Sequence, residues 1–184
     1  GDYKILKIFK NKYKETGKIK IHPVDKKPPD GDISVEAVTG TAMLIDRDKL
    51  KLIDDWDKNI FNYYEDMDLC LRFRLKGYEI IKIRQAEVDH HAFSSHEVRI
   101  SSELDFSRNW HYSWSKFYFL KKHSTIIHSY KFGLSLLMKS IFKSFIFVFF
   151  NKSKSITHFA KLYGVLTAML SMKSYYRPNI KFKK

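Results

Sequence analysis

Over Leu69 to Lys76 apolar and charged residues interleave: Leu69, Leu71, Phe73 and Leu75 alternate with Arg72, Arg74 and Lys76, and the run stops at Gly77. Acids lead this stretch (Glu65, Asp66, Asp68) and bases close it, the order that suits a helix macrodipole, and glycine accepts the left-handed conformation of a helix stop. The spacing predicts a helix ending at Gly77, with Asp68 and Arg72 as an i,i+4 pair worth a few tenths of a kcal/mol. Upstream, Ile19 and Ile21 alternate briefly, Pro23, Pro28, Pro29 and Gly31 mark a loop, and residues 35–45 read as a buried strand. A short helix is expected over Asp48 to Ile53, capped by Asp46 or Asp48. An aromatic loop from Trp56 to Tyr64 leads to the acidic helix. Tyr78 to Arg84 alternates as a strand, and Ala86 to His90 as a second short one.

Beyond residue 104 the pattern changes. Ser107 to Lys122 sets Trp110, Tyr112, Trp114, Phe117, Tyr118, Phe119 and Leu120 among basic residues, which predicts an aromatic, basic helix. Residues 126–150 form a broad apolar face with a polar stripe, Lys131, Ser135, Lys139 and Lys143, recurring every four positions, and residues 156–173 give a further amphipathic helix. The chain thus divides into an α/β piece, 1–104, and a basic helical tail, 105–184. Charge follows the same division. Nine basic residues face three acidic ones over 1–29, ten face sixteen over 30–104, and fifteen face one over 105–184, for a net charge of +14. The middle region is acidic, as a cation site would be, and the basic excess sits on the flanks.

A broad apolar face edged with lysine is the pattern of a helix lying in a membrane interface, where each lysine near anionic headgroups adds about 1 kcal/mol. Spanning is disfavoured: Lys139 and Lys143 would each cost roughly 2.5–3.5 kcal/mol near mid-bilayer. The competing destination for these faces is protein, either the α/β piece or a second copy in a homo-oligomer. No cleavable N-terminal signal is visible, so a cytoplasmic chain, peripheral on the inner face of the membrane, is expected. The lone Cys70 cannot form an internal disulfide and fits a reducing compartment. Basic charge interleaved with aromatics also raises a nucleic-acid-binding module. The tail is too apolar for that, and it carries no zinc-ligand set, helix-turn-helix signature or RNA-binding aromatic motif, so no nucleic-acid partner is expected.

Three acids at one helix start exceed what capping needs, and His90 and His91 follow at the end of a short β-like run. In a strand only one of the two imidazoles faces the acids' side. Together these residue types suggest a metal-assisted site with a carboxylate base. The wording of the region goes further. VEAVTGTAMLI at Val35 to Ile45, WDKNIFNYYEDMDLCLR at Trp56 to Arg72, Gly77-Tyr78 and AEVDHH at Ala86 to His91 resemble the C-terminal half of the catalytic domain of family 2 glycosyltransferases. Rhamnosyltransferase-like members acting on bacterial surface polysaccharides are the nearest in look, and Arg108 to His123 resembles the segment that follows that domain.

The resemblance implies a partial GT-A-type α/β fold and an inverting transfer of sugar from a nucleotide-sugar donor to a saccharide or lipid-linked acceptor. It implies that Gly40 and Thr41 lie beside the donor sugar, that Asp66 is the general base, and that Glu65 binds acceptor hydroxyls or orients the base. Read from the residues themselves, Trp56, Phe61, Tyr63 and Tyr64 either stack on a sugar face or, the commoner role, fill the core, and Tyr64 is the one expected to line the site because it abuts Glu65. The resemblance implies that His90 is a metal ligand. Mixed oxygen and nitrogen ligation suits Mn²⁺ better than Mg²⁺, and both remain candidates. Ser94, Ser95 and His96 are expected in a loop that either closes over the donor diphosphate or is an ordinary exposed loop. The nucleotide-binding half of such an enzyme, with its Asp-x-Asp motif, has no counterpart in residues 1–30. The expectation is therefore a fragment, a split gene product or a non-catalytic remnant; Gly1 in place of an initiator Met favours a fragment. Such a chain turns nothing over alone. A catalytically inactive, membrane-associated interaction subunit is the alternative from another class.

Overall fold

The computed structural model describes residues 31–88 and 101–178. The described chain is mostly helical with one two-stranded antiparallel sheet, and it divides into two compact units. The first comprises 31–57 and 65–88; the second comprises 58–64 and 101–178.

In the first unit, β1 (Ile33–Val35) pairs antiparallel with β2 (Ile80–Lys82), Ser34 standing opposite Ile81. Helix α1 (Arg47–Lys51) starts at Asp46, whose Oδ1 accepts the N–H groups of Asp48 at 3.0 Å and Lys49 at 3.2 Å. Those backbone bonds, chiefly the one from Lys49, hold the Asp46 carboxyl below its ordinary pKa. Asp46→Ala removes this cap and is expected to lower the urea midpoint modestly. Helix α2 (Glu65–Leu75) matches the predicted acid-led helix. It ends where Gly77 takes φ 88°, its N–H donating to the Arg74 carbonyl while that of Tyr78 donates to Phe73, the paired bonds of a Schellman stop. Leu69 and Phe73 of α2 meet Ile53 in a small core that Ile45, Leu50, Trp56, Tyr78 and Ile80 surround. Asp68, fully buried, pairs with Nε of Arg72 at 2.7 Å, and the same guanidinium donates from Nη1 to the Ile53 carbonyl. The acid predicted to be Arg72's structural partner is thus part of this core.

Residues 36–45 are not a strand. After Val35 the segment runs antiparallel along one face of α2, because side chains of that face take its backbone groups. Arg74 Nη1 donates to the Val35 carbonyl at 2.7 Å, Cys70 Sγ to the Val38 carbonyl at 4.0 Å, and the Gly40 N–H donates to Asp66 Oδ2 at 3.0 Å. Positions 66, 70 and 74 are four apart and share a helix face, which sets this register. Residues 86–88 are not strand either, and 89–90 lie outside the described residues.

The second unit has three helices, α3 (Ser101–His123), α4 (Ile126–Phe150) and α5 (Lys152–Met169), with α5 packed along both others. Trp110, Trp114, Phe117, Val165 and Ala168 form its core. The approach of α5 to α3 depends on Gly164: a Cβ there would stand 2.2 Å from the Trp110 carbonyl oxygen. Asn151 alone joins α4 to α5. Its N–H donates to the Phe147 carbonyl and closes one helix, and its Oδ1 accepts from Lys154 N–H at 3.0 Å and opens the next. The segment after α5 folds back onto α3: Trp114 Nε1–H donates to the Met172 carbonyl at 3.1 Å. The buried ring of His111 lies 3.1 Å from Ser174 Oγ and 2.9 Å from the Tyr176 carbonyl.

Burial pushes the His111 pKa from 6.5 down to about 4, the Tyr176 carbonyl opposing and the Arg177 charge adding. Unfolding between those values takes up a proton. The stabilisation is therefore complete above pH 6.5 and is lost as pH falls towards 4, by on the order of 2–3 kcal/mol. His158, depressed mainly by burial, adds in the same direction. Melting temperatures of the wild type and of His111→Gln, compared at pH 7 and pH 4.5, should show a steeper acid loss in the wild type. Parallel pH dependence in both proteins would sink this account.

Candidate active site at the start of helix α2

Asp66 is held by two backbone donors from different parts of the chain. Its Oδ1 accepts the Met67 N–H at 2.7 Å, and its Oδ2 accepts the Gly40 N–H at 3.0 Å across a separation of 26 residues. Each oxygen keeps a further lone pair for an incoming hydroxyl. The bond from Gly40 brings the small-residue segment Thr39-Gly40-Thr41 against the carboxylate. All three of its residues are exposed, and the two threonine hydroxyls lie 3.4 Å apart. A Cβ at Gly40 would sit 3.8 Å from Asp66 Cβ, ordinary contact, so steric need does not dictate glycine here. Such a close, exposed backbone suits the approach of a ligand.

Glu65 is half-buried, and its Oε2 has no hydrogen-bond partner among the described residues. Burial raises its pKa, its own backbone N–H opposes, and the neighbouring Asp66 charge raises it further. Two adjacent carboxyls therefore have different environments, Asp66 fixed by two N–H donors and Glu65 partly desolvated. The Cys70 thiol on the same helix face is pushed up mainly by burial, which leaves it an inert thiol.

Sequence reasoning passed over Glu36. Both of its carboxylate oxygens are shielded from solvent without a hydrogen-bond partner among the described residues; burial raises its pKa, against the charge of Arg74. Its signal was a lone acid inside the apolar run VEAV, which reads as strand.

Tyr64 belongs to the second unit. Its ring is buried at 7% exposure, with centroids 5.3 Å from Phe119 and 5.7 Å from Tyr112 and the Lys116 ammonium 6.0 Å away. Tyr63 and Tyr64 have φ of 64° and 68°, a left-handed pair that costs roughly 1–3 kcal/mol per residue. The aromatic packing of both rings, with Tyr63 edge-on to Tyr112, holds that backbone in place. Ser115 Oγ adds a bond to the Asn62 carbonyl at 2.7 Å. His90 and the loop bearing Ser94, Ser95 and His96 lie outside the described residues. Among the described residues, which do not include His90, no group of three or more His, Cys, Asp or Glu side chains is placed to hold a metal ion. The geometry joins Asp66, Glu65, Gly40 and Thr41 within one unit. Comparison with known protein families, with curated proteins and with solved structures finds no match for this chain.

Proposed function

We propose that this chain is the acceptor-and-base half of an inverting, family 2-type glycosyltransferase, rhamnosyltransferase-like in character. Asp66 takes the proton of an acceptor hydroxyl as its oxygen bonds to the anomeric carbon of the donor sugar. The bond from that carbon to the diphosphate oxygen breaks on the opposite face, and the nucleoside diphosphate leaves with the electron pair. Gly40 and Thr41 lie beside the donor, and Glu65 binds acceptor hydroxyls. A divalent cation, Mn²⁺ or Mg²⁺, held in part by His90, would neutralise charge on the leaving diphosphate. The acceptor is a saccharide, free or lipid-linked.

The single observation that supports this reading is the hydrogen bond from Gly40 N–H to Asp66 Oδ2. It sets an exposed, small-residue backbone against an oriented carboxylate, as a displacement at a sugar carbon requires. The test is complementation. The 184-residue chain alone is expected to give no transfer, and mixing it with a nucleotide-binding GT-A half should restore transfer. The product's anomeric configuration, read from proton NMR coupling constants, should be inverted relative to the donor. Retention of configuration, or turnover by the chain alone, contradicts the proposal.

A further inference from the structure

Helix α4 leaves more large apolar surface outside than it packs inward, unlike a helix that faces water. The fully buried positions of α4 are small, Ser129, Gly133 and Ser140, beside the partly buried Tyr130, Leu136 and Leu137 on the core, and Ser144 and Ser155 exchange bonds, Ser155 Oγ donating to the Ser144 carbonyl at 2.9 Å and Ser144 Oγ to the Ser155 carbonyl at 3.3 Å. From α5 the buried residues are Ser155, Ala160, Gly164, Val165, Thr167 and Ala168, of which Gly164 meets α3. The large apolar residues of α4 point out instead, with Met138 64%, Phe142 66%, Phe145 69% and Phe149 71% exposed. Water would drive such side chains into the seam; hydrocarbon leaves the seam to small residues, which let backbones approach closely. At ~100° per residue, Leu134, Met138, Ile141, Phe145 and Phe149 fall within an arc of about 80°. This is a continuous stripe, far larger than scattered surface apolar residues.

Charge identifies what covers it. Lys139 and Lys143 are exposed on the flank of α4 away from the stripe, and Lys131 is exposed at its edge. Beyond Asp105 the chain carries no acidic residue at all. A second copy would bring the same lysines against these, whereas anionic headgroups complement them. The seam covers one side of α4, so only part of its circumference is free to meet lipid, and the flanking lysines reach water when the helix lies flat. We propose that the outward face of α4 is a membrane-docking surface, lying in the plane of one leaflet of an anionic bilayer with Phe142, Phe145 and Phe149 among the acyl chains and Lys139 and Lys143 at the headgroups. This inference is independent of the transferase reading.

The test uses the purified 184-residue chain and vesicles of phosphatidylcholine, alone or with 30 mol% phosphatidylglycerol. Co-sedimentation should be about tenfold or more stronger with the anionic lipid and should weaken in 0.5 M NaCl, as screening requires. The triple variant Phe142→Ser, Phe145→Ser, Phe149→Ser should keep its helical circular dichroism and lose about tenfold or more in binding. Lys139→Glu with Lys143→Glu, which leaves the apolar stripe intact, should lose the preference for anionic lipid. Trypsin should still cut after Lys152 and Lys154 on vesicle-bound protein, because a helix lying flat leaves its end accessible. Four results overturn the proposal: unchanged binding by the serine variant, unchanged lipid preference in the glutamate variant, protection of the Lys152–Lys154 turn, or a stable dimer in solution that ignores vesicles and dissociates in the serine variant.

Discussion

Gly164→Ala is expected to destabilise the three-helix unit by about 3 kcal/mol or more, seen as a lower urea midpoint by fluorescence of Trp110 and Trp114. The sign is informative, because alanine exceeds glycine in helix propensity by about 1 kcal/mol and would stabilise an open helical site. Here the added methyl meets the Trp110 carbonyl oxygen at 2.2 Å, with the Trp110 carbonyl carbon at 3.0 Å. That is backbone, which cannot rotate aside; α5 must move off α3 and open the core around Trp110, Phe117 and Val165. Gly133→Ala provides the graded comparison. Its methyl would meet Met169 Sδ and a Phe117 ring carbon, each at 2.9 Å, both side-chain atoms with some freedom to give. Gly133→Ala should therefore cost less. A neutral or stabilising Gly164→Ala would contradict the close crossing.

The second large effect concerns chemistry. On the proposed transferase reading, Asp66→Asn in the chain complemented with a nucleotide-binding half should lower kcat by on the order of 10²–10⁴-fold, the usual worth of a positioned general base, with the acceptor KM changed much less. Asparagine keeps the shape, and its one oxygen keeps one of the two backbone bonds, from Met67 or from Gly40, while its amide NH2 faces the other N–H; circular dichroism checks that α2 persists. What it lacks is a carboxylate to receive the proton. Glu65→Gln should instead act mainly on acceptor KM, because Glu65 is assigned to binding. Equal rates for Asp66→Asn and wild type, with both proteins folded, would remove Asp66 from the role of base.

The residues that proved legible carried their cause in local spacing. Helix α2 and its stop at Gly77 follow from acids first, bases last and a glycine free to take φ 88°, and α4 begins and ends at the predicted residues. The Asp68 to Arg72 pair followed from the i,i+4 rule. Elsewhere the deciding partner is remote in sequence. Residues 36–45 have a strand-like composition, and only the side chains of Asp66, Cys70 and Arg74 divert their backbone groups away from a sheet. Helix α3 begins at Ser101 rather than at Ser107, and α5 at Lys152 rather than near 156, because polar first turns show no apolar periodicity; the Asn151 cap was the overlooked signal. At the candidate site, the acids stand out in the sequence by their excess over capping needs. The contact that gives Asp66 a setting joins positions 40 and 66, and no local pattern encodes it.

Asn151 has a consequence for how this chain tolerates change. One side chain and one N–H finish α4 and launch α5, so the hairpin has no slack to absorb an insertion. A single residue wound in at that corner would turn α5 by ~100° about its axis and carry Gly164 away from the carbonyl it was shaped to meet. The corner and the crossing, thirteen positions apart, are thus geared to each other like the pivot and the jaw of a clamp, and length variation should be confined to stretches outside that gear train.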